Sequence, residues 1–311
     1  MTAPTRRDAL GTATAGAAVT AAGGLTGWPG AGAASSVQLE GRRTYSESVQ
    51  VACGDPAGNR FVVLRLCQYP EAGVAWLWAA AVIDGRFALL VDNAAPWSGA
   101  PSVQEGAQAA SYAASTGAAR FSFSRSGPRD RPTAAQASFD GRHRGRRFAV
   151  SARFEPAAGF SGLLQGRSEQ FGQVRAEVEM GGRSVVIEGP GQWHEQPQTD
   201  PRFVDPFVYA SLWGQGTYST LLQTEDGSGG YIIRPDGVRR FDRAAFAAPG
   251  RIRAVRASGP DGAVDFVLHE VRSYGFGVYR QTWRGAFVRT RLGDTPLIGF
   301  ANTFPTGYRP A

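Results

Sequence analysis

One stretch of this chain crowds most of its reactive side-chain types into a few positions. Glu188-Gly189-Pro190-Gly191-Gln192-Trp193-His194-Glu195-Gln196-Pro197-Gln198 brings together an aromatic, an imidazole, carboxylates and amides. It is followed by Asp200-Pro201-Arg202-Phe203 and then by an aromatic run, Phe207-Val208-Tyr209-Ala210-Ser211-Leu212-Trp213-Gly214. On a strand, alternation places Trp193 and Glu195 on one face and His194 and Gln196 on the other. An indole is stabilised by ~1.5–3 kcal/mol or more when buried, so Trp193 is expected inside, carrying Glu195 with it. In apolar surroundings a carboxyl holds its proton to higher pH and can donate it to an alkene, epoxide or carbonyl oxygen. Glu195 is therefore the expected acid, with His194 or Gln196 as an orienting donor and Trp193, Tyr209 and Trp213 as walls. His194 is expected to face outward or to lie between two units.

Other constellations point away from familiar chemistries. Of the three His, His143 sits in a basic turn, and His269-Glu270 with Asp265 suits no metal geometry on one strand, so no metal is expected. No Gly-x-Ser-x-Gly elbow occurs. Glycine-rich loops lie between strand patterns rather than before helices, which argues against phosphate cradling. Trp76 and Trp78 share one strand face, a stripe that reads as core or as a substrate wall.

The elements around these residues read as strands and hairpins. Val74–Ile83 and Arg86–Val91 flank Asp84-Gly85, Phe171–Met180 and Arg183–Glu188 flank Gly181-Gly182, and Thr217–Thr224 precedes Tyr231–Arg234 across a looser turn. Pro235-Asp236-Gly237 and Pro260-Asp261-Gly262 mark further turns, and Asp140-Gly141 is expected to open another. Roughly sixteen to eighteen strands and one short helix near 103–115 are expected, which makes the class all-β. A Pro/Ala/Gly-rich stretch at 155–166 suggests a junction, dividing the chain into 34–165 and 166–311. That many strands in one closed barrel would enclose a wide channel, so two smaller barrels or sandwiches are expected. In a Tyr45–Tyr69 hairpin centred near Ala57, Glu47 shares the inner face with Arg65 and should pair with it, bordering a cavity. Cys53 and Cys67 lie several rungs apart in that hairpin and should be buried free thiols.

Composition narrows the classes further. The 311 residues are 42% hydrophobic and 19% charged, enough for a sizeable core. No apolar run approaches the ~18 residues of a spanning helix, so stable membrane insertion is not expected. The formal charge of +7 comes from arginines spread from Arg6 to Arg309, without the clustering of a nucleic-acid footprint. Thr5-Arg6-Arg7-Asp8-Ala9-Leu10, a weakly apolar Ala/Gly/Thr run and Ala31-Gly32-Ala33 together resemble a Tat export signal. Residues 1–33 are then expected to be removed and the mature chain to be extracellular or in the cell envelope.

The 189–214 region resembles the lipocalin-like carotenoid 1,2-hydratase/AttH family, whose pattern is roughly Gly-x-x-Tyr/Trp-x-Asp-His-x-Trp-Gly. Trp193 takes the aromatic place, Glu195 that of the Asp, Gln196 that of the His, and Gln198 stands where the family has Trp. Ser46-Glu47-Ser48, the Trp76/Trp78 strand and the Asp84-Gly85 hairpin are similar as well. The resemblance implies two tandem lipocalin-like barrels with a hydrophobic cavity and no cofactor. It further implies a hydratase or cyclase acting on a large polyene, isoprenoid or polyketide, with Glu195 as acid and Glu47, Trp76 and Trp78 beside the substrate. The substitutions at Gln196 and Gln198 depart from the hydratase pattern. A carrier that binds such a hydrophobic small molecule without chemistry is the alternative, and the oligomeric state stays open.

Overall fold

The computed structural model describes residues 39–304 apart from 98, 100–101, 103–105 and 162–165. The expected signal segment, 1–33, lies outside the described residues.

Among the described residues nineteen strands form two antiparallel sheets. The first holds β1 (Ser46–Gly54), β2 (Arg60–Tyr69), β3 (Val74–Ile83), β4 (Arg86–Pro96) and β5 (Ala109–Ser115), then β6 (Ala119–Ser126), β7 (Ala134–His143), β8 (Arg146–Ser161), β9 (Ser168–Met180) and β10 (Arg183–Gln198). The second holds β11 (Phe207–Trp213), β12 (Tyr218–Thr224), β13 (Ser228–Arg234), β14 (Gly237–Phe241) and β15 (Arg243–Phe246), then β16 (Ile252–Gly259), β17 (Gly262–Val278), β18 (Gln281–Leu292) and β19 (Thr295–Phe304). Each sheet curls into a nearly closed barrel. Each is wound alike, its first strand pairing with its last, β1 with β10 and β11 with β19. The all-β reading therefore holds.

Local chemistry explains the turns. Asp84 and Gly85, and Gly181 and Gly182, all adopt positive φ, as two-residue hairpins that match strand twist require. Gly191 answers a different demand: a Cβ there would sit 2.3 Å from the Ala52 carbonyl oxygen, so its absence lets β10 close against β1.

Four expectations differ from what is observed. Residues 109–115 form strand β5 rather than part of a helix, with alternating burial that packs Tyr112 inward. Asp140-Gly141 lies within β7, and the turn falls at Arg144-Gly145, both at positive φ. Residues 155–161 of the expected junction form the end of strand β8, inside the first sheet, and the sheets divide instead between Gln198 and Phe207. The β1–β2 register pairs Glu47 with Gln68 and Gln50 with Arg65, one residue away from a centre at Ala57. That shift puts Glu47 and Arg65 on opposite faces, so they do not pair. Cys53 and Cys67 are buried free thiols, as expected.

The first sheet has little solvent face along β1, β2 and β3. Val49, Val51 and Cys53 join its barrel interior, while Ala52 on the other face joins the core shared with the second sheet. On β3, Leu77 and Ala79 point inward, and Trp76 and Trp78 point between the sheets.

Candidate functional site

Two buried polar clusters lie on opposite faces of the same strands. Inside the first barrel, Trp193 and Glu195 are both 1% exposed, on the face that alternation predicts. Glu195 accepts from Arg125 Nε at 2.7 Å and Trp193 Nε1 at 2.8 Å on one oxygen, and from the Tyr112 hydroxyl at 2.7 Å on the other. Arg125 also donates to the carbonyls of Gly127 and Ala107. All three donors are thus directed at the Glu195 carboxyl oxygens. Glu47 lies in the same interior, accepting from the Tyr45 hydroxyl at 2.9 Å and the Ser102 backbone N–H at 2.7 Å.

The second cluster lies between the sheets. One cross-strand rung runs Trp78, Arg65, Gln50, His194, Glu169 across β3, β2, β1, β10 and β9. Glu169 pairs with Arg167 at 2.5 Å and accepts the hydroxyls of Tyr209, at 2.7 Å, and Tyr231. Gln192 donates to the Tyr209 oxygen at 3.1 Å, which ties β10 to the second sheet. Burial alone would push the Glu169 carboxyl up, but the Arg167 guanidinium and the two tyrosine hydroxyls together hold it below its ordinary 4.5. Tyr209 is pushed up to about 12, first by burial. Burial also drives His194 well below 6.5, with Arg167, Arg65 and Arg202 acting the same way. His194 is thus a neutral imidazole at pH 7.

This face leaves polar atoms without partners. Ser48 Oγ, Arg65 Nε, Trp76 Nε1, Gln192 Oε1 and His194 Nδ1 are all buried and unbonded. Buried polar groups are satisfied in the great majority of proteins, so a concentration of orphans marks a place built to meet something else. A larger concavity of about 1040 Å³ lies along β5 to β10, around the rung Ala114, Phe121, Phe139, Val150, Val178 and Val185. In its lining Arg147 bridges Asp140 and Glu179, and it contains none of the orphaned atoms.

Of the residues singled out from sequence, His194, Gln196, Tyr209, Trp76, Trp78 and Trp213 face the space between the sheets, while Glu195, Trp193 and Glu47 face the barrel interior. Gln196 lends its carbonyl to Arg202, and the Trp213 indole donates to Ser211. Sequence reading missed Glu169, Arg167 and Tyr231, and it placed Arg65 on the opposite face. A signal for Glu169 was present: its parity matches Phe171, whose ring had to be buried, and β9 pairs with the strand of His194. In the second sheet Asp265 pairs with Arg256 at the surface and the buried Glu270 side chain with Arg284.

Two tandem barrel-like sheets with a polar rung between them define a lipocalin-like, two-unit β protein. The chain belongs to the DUF7064 family, described as a domain of unknown function, whose model matches residues 38–194. That span covers the first sheet up to His194. A solved protein assigned as an AttH from Nitrosomonas europaea is similar over 85% of this chain and 92% of its own, with a TM-score of 0.53 and 11% identity. Kievitone hydratase from Nectria haematococca is similar over 87% of this chain and 92% of its own, with a TM-score of 0.50 and 10% identity. At these identities the likeness is one of fold. No curated protein sequence matches the chain.

Proposed function

We propose that the protein is a hydratase-type enzyme, adding water to or removing it from a carbon–carbon double bond of an apolar small molecule bound between the two sheets. The observation that carries this reading is His194, a buried neutral imidazole with an unbonded Nδ1 in line with Gln50, Arg65 and Glu169. A neutral imidazole can take one proton of the attacking water as its oxygen bonds to one carbon and pass that proton to the other carbon, and the reverse sequence releases water. Glu169, fixed by Arg167, Tyr209 and Tyr231, holds the strand that pairs with that of His194. Trp76 and Trp78 supply the apolar wall. The resemblance to kievitone hydratase in fold supports the reaction class.

This reading moves the acid–base role from Glu195 to His194. A buried carboxyl without a basic partner would demand a functional reason, whereas Glu195 has Arg125. The test is incorporation of heavy oxygen from labelled water into a panel of polyenes and prenylated phenols. The parent should form the labelled alcohol, His194→Ala should lose it, and folded Glu195→Gln should keep it. Binding without labelled product for any alkene would replace the enzyme with a carrier.

We also propose that residues 1–33 direct export, as Arg6-Arg7 suggests. Replacing both by Lys should stop secretion, and unchanged secretion would refute the signal.

A further inference from the structure

Among the described residues Arg65 is a buried cation with no counter-ion. Its residue is 9% exposed, it takes part in no hydrogen bond or ion pair among the described residues, and its Nε is orphaned. Its guanidinium lies 5.1 Å from the Trp78 ring centroid and 5.3 Å from that of Phe203. The guanidinium groups of Arg202 and Arg167 act on it as like charges. Arg167 is matched by Glu169, and Arg202 is held by the Ser46 hydroxyl and by backbone carbonyls. Three guanidinium groups thus converge on the space between the sheets against one carboxylate. Arg65 also borders a cavity of about 20 Å³, with Gln50, Trp78, Trp283, Phe300 and Asn302 among its lining. That is room for about one water or one small polar group. Its half-buried members, Val63, Leu89, Tyr274 and Phe276, mark the side towards solvent.

An isolated charge is expensive to bury, and an aromatic face offsets only part of that cost. The planar fork of Arg suits a carboxylate, which it can hold through two parallel bonds. Gln50 and Asn302 add amide groups beside the same cavity. We infer that Arg65 and the cavity beside it form a subsite for the carboxylate of a substrate whose flat apolar body lies among Trp78, Trp283 and Phe276. This rests on the reading of the space between the sheets as the substrate site, and it narrows the substrate from an apolar molecule to an apolar acid. The apolar body enters by displacing the half-buried ring of Tyr274.

Binding tests this separately from turnover. Cinnamate, its neutral amide and formate are titrated against the intact protein, read by tryptophan fluorescence and by the shift in melting temperature. Cinnamate should bind at least about tenfold more tightly than cinnamamide, as expected for a hydrogen-bonded charged group, and more tightly than formate. Arg65→Met should erase the preference over the amide, while raising the melting temperature of the ligand-free protein because an uncompensated charge is removed. Arg65→Lys should keep part of the preference. Equal binding of acid and amide, no binding of either, or an Arg65→Met protein that melts lower and still prefers the acid would each overturn the subsite. Formate binding as tightly as cinnamate would reduce it to a small-anion site and overturn the apolar acid. Loss of hydration with intact cinnamate preference would refute the hydratase reading and leave the subsite standing.

Discussion

The two polar clusters on the first sheet differ by one residue of strand parity and by little else in composition. Glu195 on one face and Glu169 on the other each have a guanidinium partner and at least one tyrosine hydroxyl. Around Glu195 the bonding is closed, with indole, phenol and guanidinium all used. Around Glu169 the network ends at neighbours whose own polar atoms are unmet, His194 and Arg65 among them. Burial of a carboxylate therefore does not set the two faces apart. The completeness of the bonding around it does.

The largest expected effect lies on the closed side. Glu195→Leu leaves Arg125 buried without its carboxylate and should cost about 3–5 kcal/mol in denaturant unfolding. Adding Arg125→Met should recover most of that loss, because the pair is removed together. Failure of the double variant to recover would mean that the cluster holds more than a local ion pair.

The open side should reveal itself through pH, with effects of up to about 1.4 kcal/mol per pH unit for each group. His194 has a folded value below 6.5, so the unfolded chain binds a proton that the native protein refuses, and stability declines as pH falls below 6.5. Glu169 is also depressed in the folded state. Its stabilisation is present above 4.5 and is lost as pH falls through the folded value. Melting curves between pH 7 and 3 should show the two limbs in that order, and His194→Leu should remove the upper one. An unchanged upper limb would assign it to another group.

The smallest effect separates the clusters most sharply. At pH 7, His194→Leu should change stability by no more than about 1 kcal/mol, since an orphaned polar atom leaves with the ring. A loss as large as that of Glu195→Leu would show that His194 is as fully bonded as its neighbour.

How much of this was legible in the sequence depended on whether a strand had one buried face or two. Where one face meets solvent, as at the Gly181-Gly182 hairpin of β9 and β10, alternation and the glycine turn define the strands directly, although in β5 and β7 the same pattern suggested a helix and a turn. In β1 and β2 both faces are buried, and Ser46, Ser48, Gln50 and Arg65 stand where apolar residues would mark a core face. Without that contrast the hairpin register rested on the turn alone. One residue of slip moved Arg65 to the wrong side and hid the site. Glu169 escaped because its partners Tyr209 and Tyr231 come from the second sheet, and no local spacing links them.

The pairing of β1 with β10 has a consequence for how the chain must be made. Ser46 hydroxyl reaches the Gln198 carbonyl across 152 positions. An emerging nascent chain would therefore hold its β1–β4 meander with one flank unzipped until β10 leaves the ribosome. The Trp76 and Trp78 face would stay wet until β17 and β18 follow. Synthesis from the amino end thus postpones closure of both layers to the last third of translation, a window in which that bare tryptophan-rich surface is open to chaperones or to self-association.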